Sequence, residues 1–562
     1  MTAAADLVLT NAEVHTLADP DETYEAVAVR DGRIVRLTND YDVDFLVGTD
    51  TRVVDLRGRT VLPGFVDAHT HLPMVGRRLV HADLSVDSRS EAIDRLRERA
   101  VDLAVEDTGG GTEEGDEWIQ GFGYDESRWD DDRYLSREEL DAVSDSLPLV
   151  AFREDMHVAS VNSVALDRLG LAAGDRGGDV HGNGEGEATG VLVEEAVDAV
   201  WEAVAPSKSE TRTLLTAAQR YANERGVAGV HDMVRRSHAP GVYRDLEREG
   251  ELSLRVRLNY WSDHLDALRE AGLRTNHGAG LVRVGAIKTY TDGSFGGRTA
   301  KLSEPYADAN SDPDAAGGDA ENRGQWVVPP AELHELVRDA DEAGFQVAAH
   351  AIGDEAVDAV LDAFASVVDG EETGGDRDDS PRHRIEHAEL ADDAAIERMA
   401  DLGVVASVQP NFLKWAGEGG LYERRLGDRR IETNRYRVMT DAGVAVAFGS
   451  DCMPLDPLLG VHHAVNAPHE DQRLSVTEAL RASTHGGAYA GFDEDRLGTV
   501  AVGNCADLVA LDDSPWTAER IDGIDPVLTV VDGRIVYDAV SDGVSSSTER
   551  SGDHRTERSR KA

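Results

Sequence analysis

The chain has 562 residues, a length that accommodates two or three domains. It carries 108 acidic and 57 basic side chains, for a formal net charge of −51. This balance argues against a nucleic-acid partner, because phosphate binding needs a basic face. The acids are spread along the whole chain, which favours a halophilic protein whose surface charge is screened by salt.

Short alternating strands with turn residues between them fill both ends of the chain. Segments such as Leu7-Val-Leu-Thr10 and Ala506–Asp512 show this pattern. We expect neither end to bury a core alone, because a stable sheet needs several strands and a covered face. The sequence therefore predicts one composite β-sandwich domain from residues 1–60 and 496–540. The Ser-, Arg- and Asp-rich residues 541–562 lack periodicity and predict a disordered tail.

Residues 61–495 show a different pattern, in which apolar strands alternate with helices. Four times a helical pattern ends at a glycine and passes into an apolar strand, at Gly226, Gly344, Gly403 and Gly443. Glycine just past a helix end takes the left-handed cap conformation. Continuous apolar strands between helices are typical of a parallel sheet.

The number of candidate strands in this region is nine, one more than an eight-stranded barrel needs. Their residues are 64–71, 148–154, 228–233, 254–260, 284–290, 345–350, 384–388, 404–409 and 444–451. Strand 148–154 lies within the long stretch 72–225, which we assign to an inserted subdomain. The predicted fold is α/β: a (β/α)8 TIM-type barrel with a subdomain inserted after strand 1, beside the small β-sandwich domain.

A histidine pair ends the first predicted barrel strand, in Val61-Leu-Pro-Gly-Phe-Val-Asp-Ala-His-Thr-His71. Successive strand side chains alternate faces, so His69 and His71 point the same way, with Asp67 behind them. Two imidazoles side by side supply half of a metal site. The alternative is a pair of polar residues leaving a strand.

Further polar side chains end the later strands, namely Lys288, His350, His387 and Asp451. In a parallel barrel the C-terminal strand ends meet at one mouth, where active sites lie. Four neutral imidazoles and a carboxylate suit zinc or another first-row divalent ion. The alternative is that each residue has a separate core, capping or surface role. That explanation would have to hold at five strand ends at once.

Lys288 is unusual because it lies among apolar residues, in Val284-Gly-Ala-Ile-Lys-Thr289. Burial of a lysine lowers its pKa. A neutral amine near a metal reacts with carbon dioxide to give a carbamate, an anionic oxygen ligand able to bridge two metals. The alternative is a buried ion pair with Glu386 or Asp292.

The ordered set of His-x-His, Lys, His, His and Asp resembles the metal-dependent amidohydrolase superfamily. Longer strings are similar to its YtcJ-like "amidohydrolase family 3" branch: Leu62-Pro-Gly-Phe-Val-Asp-Ala-His-Thr-His71, Trp118-Ile-Gln-Gly-Phe-Gly-Tyr-Asp-Glu-Ser-Arg-Trp129, Asp292-Gly-Ser-Phe-Gly-Gly-Arg-Thr-Ala300, His350-Ala-Ile-Gly-Asp354, Arg384-Ile-Glu-His-Ala388 and Gly449-Ser-Asp451. The resemblance runs from about residue 5 to 540, and its motifs are more specific for the branch than for a substrate.

This resemblance implies a metal-dependent hydrolase of amide or other non-peptide carbon–nitrogen bonds in a small molecule, with one or two ions, expected to be zinc. The implied metal ligands are His69, His71, Lys288, His350, His387 and Asp451. Asp451 would hold the first metal with His69 and His71, and carboxylated Lys288 would bridge to a second. Asp451 would also act as general base on the metal-activated water and later as acid toward the leaving nitrogen.

Other functions share the same pattern. One is an ester hydrolase or deaminase on the same site, and another is a catalytically silent binding or regulatory protein on the same scaffold. A complete ligand set argues against the silent protein. For substrate binding we expect His157 of the inserted subdomain, and Asp292 and Arg298 of the Gly-rich loop after the fourth strand.

The two cysteines, Cys452 and Cys505, offer no disulfide framework and favour a reducing compartment. The N-terminus lacks the basic and apolar regions of a signal peptide, and no apolar run approaches the ~18 residues of a membrane span. We therefore expect a cytoplasmic protein without a membrane partner. The sequence leaves open whether it forms a homo-oligomer.

Overall fold

A computed structural model describes most of the chain. The described residues are 4–106, 117–126, 129–131, 133–154, 156, 158–176, 179–183, 186–193, 195–309, 322–368 and 381–541. The chain divides into two compact units, Leu72–Ala218 and the rest, which comprises Met1–His71 with Gln219–Ala562. The predicted tail, apart from Ser541, lies outside the described residues.

Residues 4–70 form six strands and one α-helix. These are β1 (Leu7–His15), β2 (Thr23–Tyr24), β3 (Ala26–Arg30), β4 (Arg33–Thr38), α1 (Asp40–Val43), β5 (Arg52–Pro63) and β6 (Phe65–Thr70). Gly64 separates β5 from β6, and its amide donates to the carbonyl oxygen of Asp507 at 2.9 Å. The chain thus passes from one sheet into the next within a single residue.

The unit of residues 72–218 has its own mixed sheet and helices. In chain order its elements are α2 (Leu72–Val80), β7 (Ala82–Asp83), α3 (Arg89–Glu106), β8 (Ile119–Tyr124), α4 (Arg137–Asp141), β9 (Leu149–Arg153), β10 (Val158–Val161), α5 (Ser163–Leu169), β11 (Val180–Gly182), β12 (Ala188–Val193) and α6 (Glu195–Ala203). The strand order is β11-β12-β10-β9-β8-β7.

Both faces of this second sheet are buried. Val150 and Phe152 of β9 belong to one apolar cluster, whereas Leu149 and Ala151 belong to another. This alternation places the two clusters on opposite faces. Strand β9 corresponds to candidate strand 148–154, which we excluded from the barrel on the sequence count. The structure confirms that exclusion, because β9 belongs to this second sheet.

The barrel follows from α7 onward. Its elements are α7 (Lys208–Glu224), β13 (Val227–Val234), α8 (Ala239–Glu249), β14 (Arg255–Trp261), α9 (Leu265–Glu270), β15 (Gly278–Ala279), β16 (Val282–Tyr290), α10 (Pro330–Glu342), β17 (Val347–Ala351), α11 (Asp354–Val368), β18 (Arg384–His387), α12 (Asp393–Leu402), β19 (Val405–Val408), α13 (Leu421–Leu426), α14 (Tyr436–Asp441), β20 (Ala445–Phe448), α15 (Pro457–Val465), α16 (Val476–Arg481) and α17 (Gly487–Ala490).

Eight parallel strands run in the order β6-β13-β14-β16-β17-β18-β19-β20. Past the end of β20, the amides of Ser450 and Asp451 donate to the carbonyl oxygen of His69 at 3.1 and 2.8 Å, which joins the last strand to the first. The predicted TIM-type barrel is confirmed, with strand positions within about three residues of those expected.

The predicted glycine caps are present at all four positions. Gly226, Gly344, Gly403 and Gly443 have φ angles of 76°, 77°, 65° and 83°. These left-handed angles are those that a helix-terminating glycine adopts. Each one ends a barrel helix and turns the chain into the next buried strand, so local sequence alone sets four of the helix-to-strand junctions.

The C-terminal part returns to the first sheet with β21 (Leu508–Leu511), β22 (Pro526–Val531) and β23 (Arg534–Asp538). The two chain ends form one eight-stranded sheet in the order β23-β22-β21-β5-β1-β3-β4, with β2 beside β1. β21 pairs with β5 through Val509 opposite Leu62. One apolar cluster draws residues from both ends, including Leu9 and Leu508.

Among the described residues, every helix is too short or too polar to cross a lipid bilayer.

Candidate metal centre

The first barrel strand carries two of the predicted ligands at its C-terminal end. His69 is buried on β6, and His71 follows the strand directly. Their ring centroids are 5.8 Å apart. The Nε2 atoms of His69 and His71 lie 3.6 and 3.4 Å from Oδ1 of Asp451. The end of the first strand and the end of the last therefore meet at one carboxylate.

His387 and Asp451 reach this centre through unusual backbone. Ligand atoms of His69, His387 and Asp451 all lie within 4.8 Å of one another. His387 follows the buried Glu386 directly, and consecutive strand residues normally point to opposite faces. The φ angles of His387 and Asp451 are 73° and 49°, so the chain leaves the extended conformation at both residues. Such strain at a non-glycine residue is frequent at functional sites.

The remaining predicted histidine, His350, ends β17 beside this cluster. Its ring centroid lies 4.5 Å from that of His387 and 4.6 Å from that of Tyr290. Its Nε2 atom lies 3.0 Å from the carbonyl oxygen of Gly293. Because a carbonyl can only accept, that nitrogen carries the proton, and Nδ1 keeps its lone pair.

Hydrogen bonds also fix the tautomers of His69 and His387. Nδ1 of His69 lies 2.5 Å from Oε2 of Glu386, and Nδ1 of His387 lies 2.6 Å from Oε1 of Gln409. Both partners accept, and Gln409 is oriented by its own amide group, which donates to the carbonyl oxygen of Ser407 at 3.2 Å. The Nε2 atom of each histidine therefore carries no proton and keeps its lone pair. This is how metal-binding histidines are normally held.

Burial keeps these imidazoles neutral. Burial, with a smaller contribution from the charge of Lys288, lowers the pKa of His71 to about 4 and that of His350 to about 3. The pKa values of His69 and His387 also lie well below their usual range, chiefly because both rings are buried. Neutral imidazoles and one carboxylate, gathered in a small buried volume, fit a divalent transition metal.

Lys288 lies on β16 and is 1% exposed. Burial lowers the pKa of its amine to about 8, although the charges of Glu386 and Asp451 oppose this effect. Its Nζ lies 5.4 Å from the ring centroid of Tyr290, whereas the ion pairs of Glu386 among the described residues are with Arg384 and His69, and that of Asp292 is with His350. The alternative of a direct ion pair with Glu386 or Asp292 is therefore not what the structure contains.

Glu386 belongs instead to a buried polar chain that the sequence did not predict. Its Oε1 lies 2.8 Å from Nε of Arg384. Arg384 contacts Nδ1 of His231 at 2.8 Å and donates to Oγ of Ser407 at 2.9 Å. The sequence does indicate that Arg384 and Glu386 lie side by side, because residues two apart share a strand face. Which histidine Glu386 serves depends on packing between distant strands.

Asp67 and Gly449 allow the first barrel strand and the segment after the last strand to lie close together behind the cluster. Oδ1 of Asp67 accepts from the amides of His69 and Ser450, both at 3.0 Å. Burial raises the pKa of Asp67 to about 6, and those hydrogen bonds oppose the rise. A Cβ atom on Gly449 would lie 2.6 Å from the backbone nitrogen and Cβ of His69. Only glycine allows this approach.

The three residues expected to bind substrate have different surroundings. Asp292 is fully buried and accepts from the amides of Gly353 and Lys301, both at 2.8 Å. Arg298 forms a two-point ion pair with Asp308 at 3.0–3.1 Å. His157 lies outside the described residues. In this structure Asp292 holds the ends of two loops together.

Comparison with known proteins gives a consistent result. The sequence model of the amidohydrolase family matches residues 52–537. The chain is 30% identical over 559 residues to the protein YtcJ of Bacillus subtilis (strain 168), which covers 93% of this chain and 98% of that protein. It is 28% identical over 565 residues to the N-substituted formamide deformylase of Arthrobacter pascens, with coverage of 96% and 99%.

A solved structure is similar over almost the same length. The crystal structure of a metal-dependent hydrolase from Pyrococcus furiosus superposes with a TM-score of 0.73 at 29% sequence identity, covering 91% of this chain and 100% of that chain. The residues that the family model matches include the whole barrel and the inserted unit.

Proposed function

The chain belongs to the amidohydrolase family, and we propose that it hydrolyses a carbon–nitrogen bond outside ordinary peptides, in a small non-peptide amide or cyclic amide. One observation carries the proposal. His69, His387 and Asp451 converge within 4.8 Å, and each histidine presents an unprotonated nitrogen. A purely structural cluster would have no need for electron pairs held free in this way.

His69, His71 and Asp451 would hold one metal ion, and His350 and His387 would complete that site or hold a second ion. Zinc suits this donor set. A bound divalent ion supplies Lewis acidity toward water and toward a carbonyl oxygen. The buried position of the cluster, where the strands meet, limits the competing access of bulk water.

Asp451 is the proposed general base and acid. Its carboxylate lies between two histidines, 3.6 and 3.4 Å from their Nε2 atoms, and it is partly exposed at the barrel mouth. It would accept a proton from the attacking water at a carboxylate oxygen. It would then return that proton to the leaving nitrogen, which must be protonated to depart as an amine.

Lys288 would serve as a ligand after carboxylation. A carbamate forms when a neutral amine attacks carbon dioxide and loses a proton. The lowered pKa of Lys288, about 8 through burial, makes the neutral amine accessible. The product would be an anion among four neutral imidazoles. The positive charge of the ammonium group, which repels a metal ion, would thus be replaced by a negative charge that attracts it.

The substrate class is argued from one relative and one pair of aromatic side chains. The relative from Arthrobacter pascens is named for N-substituted formamides. The ring centroids of Tyr290 and Trp261 lie 4.6 Å apart, with the rings tilted by 33°, next to His350, and they would provide an apolar wall for such an N-substituent. We therefore propose a small neutral amide as substrate, taken up by a protein adapted to high salt.

A substrate screen tests this function. The protein would be loaded with zinc, manganese or iron and assayed for amine release on N-substituted formamides, N-acyl amino acids and cyclic amides, at low and high salt. Ester and aryl-amine substrates would detect esterase or deaminase activity. The proposal fails if the protein purified without chelators retains no metal, or if metal-loaded protein releases amine no faster than the Asp451→Asn variant.

A further inference from the structure

A second pocket lies at the N-terminal ends of barrel strands β13, β14 and β16. Its wall includes Gly229 and Val230 of β13 as well as the segment that leads from α17 to β21. It therefore lies where the barrel meets the sheet of chain ends. In such barrels this end contributes to stability and the opposite end carries catalysis.

The pocket is positively charged, in a chain of net charge −51. Its charged lining comprises Arg255, Arg257, Arg283, Arg496, Asp493 and Asp507. Asp532 also contacts Arg255, at 3.0 Å. Four guanidinium groups thus face three carboxylates, which leaves one positive charge in excess. A buried or half-buried charge in excess is costly unless something balances it.

The carboxylate of Asp493 is shared by three of these arginines. It accepts from Nη2 of Arg257 and from Nε of Arg496, both at 2.7 Å. Nη1 of Arg283 is more distant, at 3.5 Å. The carboxylate of Asp507 is engaged separately by Arg255 at 2.5 and 3.0 Å. Arg283 is thus the arginine with the weakest partner.

Two further observations mark Arg283. Its Nε is buried and lacks a hydrogen-bond partner within the described residues. Burial lowers the pKa of its guanidinium, and the nearby charge of Arg496 lowers it further. Its side chain is 27% exposed, which leaves a route from solvent into the pocket. An anion would accept a hydrogen bond from this unpartnered Nε and would offset the repulsion between Arg283 and Arg496.

We propose that this pocket binds one small monovalent inorganic anion, such as chloride, between Arg283 and Arg496. The ion would balance the single excess charge and accept from the unpartnered Nε of Arg283. It would thereby stabilise the junction of the barrel with the sheet of chain ends.

Bromide gives a direct test, because it replaces chloride and scatters X-rays anomalously. Crystals of the intact protein grown in sodium bromide should show an anomalous peak within contact distance of the guanidinium groups of Arg283 and Arg496. Absence of a peak there would overturn the proposal.

Thermal unfolding tests whether the ion matters in solution. In wild-type protein, replacing gluconate by chloride at constant sodium should raise the midpoint by at least about 2 °C and then saturate, as for ligand binding to the folded state. Arg283→Gln should respond little, and in gluconate it should be at least as stable as wild type, because one repelled charge is gone. Arg244→Gln, on the exposed face of α8, should behave as wild type.

The other outcomes are equally clear. If wild type and Arg283→Gln respond in parallel, a bromide peak records an adventitious ion only, and the proposal is wrong. If Arg283→Gln does not fold, Arg283→Lys serves instead: it keeps the charge but lacks Nε, so saturation should need several-fold more chloride. Unchanged saturation in that variant would count equally against the site.

Discussion

Nδ1 of His69 lies 2.5 Å from Oε2 of Glu386, and both side chains are buried. The histidine comes from the first barrel strand and the glutamate from the sixth. A carboxylate on Nδ1 fixes the tautomer and makes Nε2 a stronger ligand. Glu386 is in turn held by Arg384 at 2.8 Å. The electronic state of one proposed metal ligand thus depends on a strand across the barrel.

Replacing Glu386 by glutamine should weaken metal binding by about 10–100-fold. The amide lacks the negative charge that holds the proton on Nδ1. Competition with a chelator of known affinity would measure the loss. Glu397→Gln, on the exposed face of α12, is the control and should bind metal as wild type does. Wild-type affinity in a well-folded Glu386→Gln protein would refute the positioning role.

Replacing Gly449 by alanine should disturb the same site through sterics alone. The new Cβ would lie 2.6 Å from the backbone of His69, so His69 or the end of β20 must move. We expect a large loss of bound metal, measured by elemental analysis, with helix content by circular dichroism retained. Gly241→Ala in α8 is the matched control, because a Cβ there meets nothing within 4 Å. Full metal content in Gly449→Ala would contradict this geometry.

Asp451→Asn should abolish turnover and leave the fold intact. The amide cannot accept the proton of an attacking water, so the rate constant kcat should fall by about 100-fold or more. Steady-state kinetics on whichever amide the screen identifies would measure this. Amine release at a rate close to wild type, from a protein with wild-type metal content, would exclude Asp451 as the base.

Lys288→Ala should lose activity that short carboxylic acids restore. If the lysine acts as a carbamate, acetate or propionate can supply the missing carboxylate in the cavity that alanine leaves. Activity would be followed as the acid is titrated at fixed ionic strength. Lys301→Ala, which removes a lysine paired with Glu355 at 3.2 Å, should show no such rescue. Failure of every small acid would favour a role for Lys288 as an uncarboxylated amine.

A pH dependence is expected at the start of α16. Glu478 accepts from Arg437 at 2.8 and 2.5 Å and caps the helix with Ser475. The hydrogen bonds from Arg437 lower the pKa of Glu478 from 4.5 to about 2. Because the folded-state pKa is depressed, the stabilisation is complete above pH 4.5 and is lost as the pH falls toward 2.

Glu478→Gln should therefore reduce the free energy of unfolding by about 1.5 kcal/mol at neutral pH, after allowance for partial solvent exposure. Urea unfolding would measure this difference, which should narrow as the pH is lowered below 4.5. A difference that stays constant with pH would mean that the effect comes from packing.

Much of the barrel was predictable, because local sequence carries the information. Gly226 and Gly403 follow clear helical patterns and supply the left-handed conformation that ends a helix, and apolar runs such as Val404–Val408 are typical of buried parallel strands. The convergence of the proposed ligands was predictable for a related reason: parallel strands bring their C-terminal ends to one mouth, so chain order alone places His69 beside Asp451.

What the sequence could not reveal depends on contacts between distant strands. The left-handed backbone of His387 and Asp451 depends on how strands β18 and β20 meet their neighbours. Histidine and aspartate adopt this region more often than most residues, but the enrichment does not single out these two positions. The role of Glu386 depends on which histidine faces it across the barrel. The motif around Asp292 did not reveal that its carboxylate accepts from the amides of Gly353 and Lys301 while lying 3.5 Å from Nε2 of His350.

The pairing of β5 with β21 has a consequence for biosynthesis. Leu62 lies opposite Val509, so β5, which is synthesised early, cannot complete its pairing until β21 has been synthesised. Until β21 leaves the ribosome, β5 presents an open edge that can pair with other chains. A premature stop within the barrel should therefore yield an aggregation-prone fragment, and full-length synthesis becomes a condition for solubility.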